Sequence, residues 1–402
     1  MKTPDIEEIL KSHAAGLLEL VTAHPKHELA STAHLRAIWS VSQLAAADAK
    51  QKERFRELLG EHLRDWPTSE SSNQARLWLA RLLFAENKID EAVDTYLQIS
   101  VASLHSLPAA RDLRSALPRL IQEFRTKQKS PASEAARISK IIFAQFVMQP
   151  DGSFQPTEGD CQRLLALAPL VAEFQTIEHA KFAQMLEAAL QNSEARQADW
   201  YRPLLAATVA FLSGDENKQG RAKELFIEIE REPSALVQLF DLQNKLSAGK
   251  TAATFESWLV KTSEALEATA TTAEERTNWQ VERAKVLFAN KRFEPATALL
   301  GPLAKSSPNR GDIQLLYART LAELPEQRSA ALDQWRRVSA KVKDQSEEWF
   351  ESKYQVARLL LELGQKEKAS ELLRFLNAIP PGWSKSTWSN KFDELFAKSK
   401  DE

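Results

Sequence analysis

Glycine is scarce in this chain: eleven occur in 402 residues and no two stand two apart, which removes the glycine-rich turns that cradle dinucleotide phosphates. The patterns GxxxxGK[ST], HExxH and GxSxG are missing too, so the common signatures for nucleotide binding, zinc proteolysis and serine hydrolysis fail together. Cys161 is the only cysteine. It has no partner for an internal disulfide or a thiolate metal site, and its expected place is in a core, as a small hydrophobe. No apolar run reaches the roughly 18 residues a membrane-crossing helix needs. The first twenty residues, MKTPDIEEILKSHAAGLLEL, carry acidic residues inside their apolar stretch, unlike a secretory leader, and a cytoplasmic location is the expectation, or an envelope-associated or periplasmic one for a longer chain with a signal or flanking segment. Charge of one sign is absent as well. Lys and Arg number 53 against 55 Asp and Glu, a formal net charge of −2, which gives no broad attraction for nucleic-acid phosphates. No catalytic residue, metal, cofactor, nucleic acid or membrane span is therefore expected.

What is abundant is the set of good helix formers, Ala, Leu, Glu, Lys, Arg and Gln, and an all-α protein follows. Residues 73–100 read NQARLWLARLLFAENKIDEAVDTYLQIS. Ala75, Trp78, Leu79, Leu82 and Leu83 recur three and four apart, which places them on one side of a helix. Asn87 and Lys88 interrupt the pattern. Ile89, Ala92, Val93, Tyr96 and Leu97 then resume it on a second helix, with Asp90 and Glu91 in the first turn, where the helix dipole favours negative charge. A pair this short cannot offset the roughly 1–2 kcal/mol per residue of backbone ordering, so it needs neighbours.

Ala80 and Ala92 lie twelve apart, one on each helix, and the same spacing recurs as Ala284 and Ala296, Ala357 and Ala369 and, in a weaker copy, Ala210 and Ala222. Between these, Ala318 and Ala331 belong to a copy whose turn has one extra residue. With Pro308 and Pro381 closing two units, this pattern resembles the tetratricopeptide repeat, a 34-residue helix-turn-helix unit with small residues at its eighth and twentieth positions. Departures are visible: Arg76, Gln280, Gln314 and Lys353 replace the usual tryptophan, and among the four best copies only Gly364 supplies the usual turn glycine. The resemblance implies a right-handed α-solenoid of stacked antiparallel helix pairs. The expected organisation is helical repeats in 1–150, clearest at 73–106; degenerate repeats in 151–271; three consecutive repeats in 272–383; and a capping helix in 384–402. MQPDGSFQPTEGD, residues 148–160, reads as a loop, and EATATTAEE, residues 267–275, as a polar connection or helix start. HLRDWPTSESSNQARLWLARLLFAENKIDEAV is also similar to bacterial tetratricopeptide proteins of envelope assembly.

Such an array is expected to be a non-enzymatic scaffold for a partner protein or peptide. Arg81, Lys285, Arg319 and Arg358 follow the first-helix alanine in the four best copies, a position that looks into the concave groove of the family's fold. A ladder of cations there suits the carboxylates of an acidic partner; pairing with acids of neighbouring helices, such as Glu323 or Glu362, is the plainer alternative. The asparagines that accompany the lysines in chaperone-binding members are missing beside these positions. An enzymatic or ligand-sensing helical domain, and an RNA-binding repeat, are the rival readings. The carboxylates Asp151, Glu158 and Asp160 read as solvated loop groups, and His13, His24, His27 and His34 as surface or partly packed residues rather than ligands, since Pro25 breaks the helix between them. Trp39, Trp78, Trp258, Trp279, Trp335 and Trp349 fall in apolar helical patterns and read as packing residues, whereas Trp383 and Trp388 are the candidates for exposure.

Overall fold

A computed structural model describes residues 6–45, 48–126, 131–149, 153–173, 178–191, 196–248, 253–379, 382–384 and 386–399. Among them there is no strand. The chain divides into two compact units, Met1–Phe226 and Ile227–Glu402.

The first unit runs through α1 (Ile6–Ala23), α2 (Ala30–Ala45), α3 (Ala49–Asp65), α4 (Glu70–Ala85), α5 (Ile89–Leu97), α6 (Ser106–Thr126), α7 (Pro131–Phe143), α8 (Glu158–Glu173), α9 (His179–Leu190) and α10 (Tyr201–Leu212) to α11 (Gln219–Ile227), which ends at the boundary. The second holds α12 (Pro233–Ser247), α13 (Ala253–Thr269), α14 (Ala273–Ala289), α15 (Phe293–Ser306), α16 (Gly311–Ala322), α17 (Arg328–Ser339), α18 (Glu347–Glu362), α19 (Lys366–Ala378) and α20 (Ser389–Lys398). From α12 to α20 each helix packs on the next in sequence, and α14 also touches α16. No helix among the described residues is long and apolar enough to cross a membrane.

Helix starts follow local chemistry. Ser69 and Ser346 accept from backbone N–H groups of the first turns of α4 and α18, and Thr272 with Glu275 forms a reciprocal capping box at α14. EATATTAEE thus ends one helix and begins the next.

The turns inside three helix pairs close in one way. Asn87, Lys291 and Gly364 take φ of 61°, 59° and 75°. The following residue's N–H then reaches back to the last turn: Lys88 to the Leu83 carbonyl at 2.9 Å, Arg292 to Leu287 at 2.8 Å and Gln365 to Leu360 at 2.8 Å. This is the long-reach bond that ends a helix through a left-handed residue. Only one of the three is glycine, so a non-glycine residue holds that conformation in the other two turns.

Between the paired helices sit the alanines. Ala80, Ala92, Ala210, Ala222, Ala284, Ala296, Ala318, Ala331, Ala357 and Ala369 all have no exposed surface. In the packed pairs α4–α5, α14–α15, α16–α17 and α18–α19, methyl-sized contacts let the two backbones approach, whereas α10 and α11 do not pack closely on each other. Larger side chains close over the alanines: Trp335, Leu332 and Val338 with Leu359 and Leu360 in one cluster, and Phe350, Leu373 and Leu376 with Phe392 in the next. Trp383, expected at the surface, is buried because it stacks on Phe392 at 4.9 Å and donates its indole N–H to Asp393 at 2.8 Å. Trp388 leans on Tyr354. Trp39 departs the other way and is half-exposed.

Neighbouring positions on α17 isolate the alanine contact. Ala331→Leu should destabilise by about 1–3 kcal/mol through overpacking. Ala330→Leu, one residue earlier on the exposed face, should stay within about 0.5 kcal/mol of wild type. Urea unfolding monitored by circular dichroism separates the two.

Candidate interaction surface

Arg81 belongs to the first unit and Lys285, Arg319 and Arg358 to the second. Arg81 donates from Nε to Asp112 Oδ2 at 2.7 Å, which ties α4 to α6, and the Tyr96 hydroxyl donates to the same oxygen at 3.3 Å. Arg319 clamps Glu351 with two bonds, Nε to Oε1 at 2.7 Å and Nη2 to Oε2 at 2.5 Å, linking α16 to α18. The carboxylate of Glu351 is nearly buried and holds the Arg319 guanidinium above its ordinary pKa. Arg358 donates to the Ala322 carbonyl at 3.3 Å, to Glu362 at 3.2 Å and to Gln355 at 2.9 Å, so it caps the open C-terminus of α16 from α18. Lys285 alone of the four stays on its own helix, bonded to Glu282 at 2.7 Å, with about half of its side chain exposed.

Lys285 sits on the rim of a pocket of about 420 Å³ that also includes Phe240, Trp279, Asn278, Glu282 and Arg310. Phe240 and Trp279 meet edge to face at 5.6 Å. Arg310 is fixed across the pocket by Asn278 at 3.0 Å and by both oxygens of Asp312 at 2.9 and 2.6 Å. An aromatic pair flanked by charges of both signs has the makings of a protein contact: apolar area at the centre and polar groups that fix orientation. Periodicity does not single out Phe240, because its partner Trp279 lies 39 positions along the chain on another helix.

A larger cleft of about 960 Å³ opens along α15, α16 and α17, with Lys305, Leu315, Tyr317, Gln334, Arg337 and Lys341 on its walls. None of the four ladder cations lines it. The sequence pattern gave no sign of it, since Lys305 on α15 and Arg337 on α17 lie 32 positions apart and Lys341 follows in the turn after α17.

In the first unit one of the loop carboxylates departs from expectation, while Glu158 is exposed as expected. Asp160 is buried beneath an ion pair with Arg163, which also donates to Ser106 Oγ at 2.7 Å and to the Val101 carbonyl at 3.0 Å. The residues around it are a helix start rather than open loop. Asp151 lies outside the described residues. Burial pushes the Cys161 thiol up to about 11, so it stays protonated and unreactive.

His34 is also buried, and its partner is one the sequence pattern does not reveal. His34 Nδ1 and His62 Nδ1 lie 3.2 Å apart, one donating to the other, with the rings stacked at 5.4 Å and Trp66 against both. His62 Nε2 bonds Ser71 Oγ at 3.1 Å, and Glu61 stands 3.8 Å from His34 Nε2. Burial lowers both histidines, and at His62, brought to about 4, the His34 ring adds to the effect. Among the described residues no group of three or more His, Cys, Asp or Glu is placed to hold a metal ion.

No protein-family model matches the chain, and no curated protein matches it. The tetratricopeptide likeness therefore rests on the residues and spacings given above.

Two outcomes follow from these contacts. Arg319→Ala strands the Glu351 carboxylate and should cost about 1–3 kcal/mol, whereas Lys285→Ala should cost under about 0.5 kcal/mol; chemical denaturation measures both. The histidine pair sets a pH response. The unfolded ring binds its proton near 6.5 but folded His62 only near 4, so the unfolded state holds more protons between those values and stability falls as pH drops through that window. Between pH 7 and 5 the loss should be about 1–2 kcal/mol, and His62→Gln should flatten it.

Proposed function

We propose that the chain is a right-handed, tetratricopeptide-like α-solenoid that serves as a non-enzymatic scaffold, holding a partner protein or peptide against the surface its helix pairs leave free. The observation that carries this reading is the repeated pair of fully buried alanines, ten residues in five copies, together with one turn geometry shared by three of them. A chain built from one repeated hairpin needs only the facing side chains for its core, and the others are available for recognition.

Within that surface the pocket around Phe240, Trp279 and Lys285 is the contact we assign to the partner. It combines a rigid aromatic pair with the most accessible cation of the four in the ladder. Arg319 and Arg358 fix helix to helix within the same unit, Arg81 does so in the first unit, and an acidic segment is the partner chemistry that Lys285 favours.

The test is affinity capture from the lysate of the source organism, with wild type beside Lys285→Glu and Trp279→Ala, followed by mass spectrometry. One protein retained by wild type, and lost from both variants while their helicity is unchanged, is the expected result. Equal retention by all three removes the pocket from the interface.

A further inference from the structure

Leu104 is the most exposed large apolar side chain among the described residues, at 88%. It stands in the turn between α5 and α6, and that turn is fixed from two sides. From α4, Asn73 Oδ1 accepts the Ser100 N–H at 3.0 Å, and the Glu70 carboxylate accepts the Ser103 hydroxyl. From α8, the buried Arg163 donates to the Val101 carbonyl at 3.0 Å and to Ser106 Oγ at 2.7 Å. Inside the turn the His105 N–H bonds Ser103 Oγ at 3.1 Å. Leu104 is therefore presented to solvent by backbone that is already ordered, which lowers the entropy lost when the side chain is covered.

The outer side of α6 continues from this point. Leu107, Arg111, Arg114 and Pro118 follow one another at four, three and four, so they lie on one face of the helix, with Ser115 and Arg119 beside them. No exposed position of α6 carries an acid. Its two acids sit on the flank and are engaged: Asp112 by Arg81 and Tyr96, and the half-buried Glu123 by a contact of its own. Glu70, the acid at the turn, is taken up by Ser103 and by the Asn73 amide at 2.9 Å. Arg111 and Arg114 make no ion pair or hydrogen bond among the described residues. Arg119 rests over the Phe84 ring at 4.7 Å, which fixes its place without neutralising it.

We infer that this side of the first unit docks on an anionic phospholipid bilayer, with Leu104 entering the headgroup region and α6 lying along the surface. A face of one sign, about 18 Å long from Leu107 to Arg119, suits a uniformly negative plane. Guanidinium groups match phosphate oxygens two at a time. The protruding leucine selects the bilayer over a nucleic-acid backbone, which offers no apolar layer to receive it. No described helix is long and apolar enough to cross a membrane, so the contact is peripheral. It uses no residue of the Lys285 pocket and stands or falls separately from the function proposed above.

The experiment is co-sedimentation of the full-length protein with vesicles. Phosphatidylcholine vesicles containing roughly a third phosphatidylglycerol should carry it down, and phosphatidylcholine alone should not. Raising the salt concentration should release it. Partition should fall about tenfold in Arg111→Glu with Arg114→Glu, fall as well in Leu104→Ser, and be unchanged in Lys285→Glu. Leu104→Cys accepts an environment-sensitive dye at that position alone, because Cys161 is buried and protonated. The dye should brighten and shift to the blue on anionic vesicles. No sedimentation, sedimentation unchanged in the charge-reversed or the Leu104→Ser protein, or a dye that stays in water would each overturn the assignment. A DNA duplex bound more tightly than the vesicles would give the arginines to nucleic acid and overturn it too. Leu104, Arg111 and Arg114 are exposed, and matching circular dichroism spectra confirm that the variants fold.

Discussion

Two helix backbones approach closely only where neither carries more than a methyl group at the point of contact. The rest of this structure depends on that constraint. Ala80 against Ala92, and its counterparts in three further packed pairs, leave no solvent-accessible surface, so the space around them is filled by Leu, Val and aromatic side chains from the same pair and the next. Dispersion across such contacts is small per atom and large in sum, and it vanishes quickly with separation. A wider residue at the alanine position would separate the helices and loosen the cluster above it as well. The left-handed turns at Asn87, Lys291 and Gly364 serve the same contact, since they reverse the chain in the shortest distance and bring the second alanine opposite the first.

Electrostatics act on a second level, between pairs rather than within them. Arg81 reaches Asp112 and Arg319 reaches Glu351, separations of 31 and 32 residues in sequence. Each joins helices that the chain visits two elements apart. Arg319 is the stronger case, because Glu351 is nearly buried and would otherwise keep an uncompensated charge. Cations used in this way are not free for a ligand. Lys305 and Arg337, which make no ion pair among the described residues, line one cleft, and Lys285, held only by Glu282, borders another.

The helices were legible in the sequence because the apolar positions recur at three and four and the alanines recur at twelve. Alanine burial followed from spacing alone. Other features were not legible, each for a physical reason. Asn87 and Lys291 take a conformation usually signalled by glycine, so their turns resembled ordinary polar breaks. His34 and His62 are 28 residues apart and meet only once α2 and α3 lie side by side. Trp383 was expected at the surface, but Phe392 of α20, nine positions further on, stacks over it. Asp160 looked like loop chemistry because its partner Arg163 is anchored by Val101 and Ser106, some 60 positions earlier. The four ladder cations were visible as a pattern, but which of them would be consumed by acids depended on neighbouring helices that no single copy contains.

Hydrogen exchange of the wild-type protein, followed by mass spectrometry at peptide resolution, tests the role of the alanine contacts most directly. If close helix approach at these positions holds each pair together, the slowest-exchanging amides should lie around Ala80, Ala92, Ala284, Ala296, Ala318, Ala331, Ala357 and Ala369, with protection falling toward each turn. Rapid exchange at those positions, with protection concentrated elsewhere, would show that the pairs are held by something other than their alanine contacts.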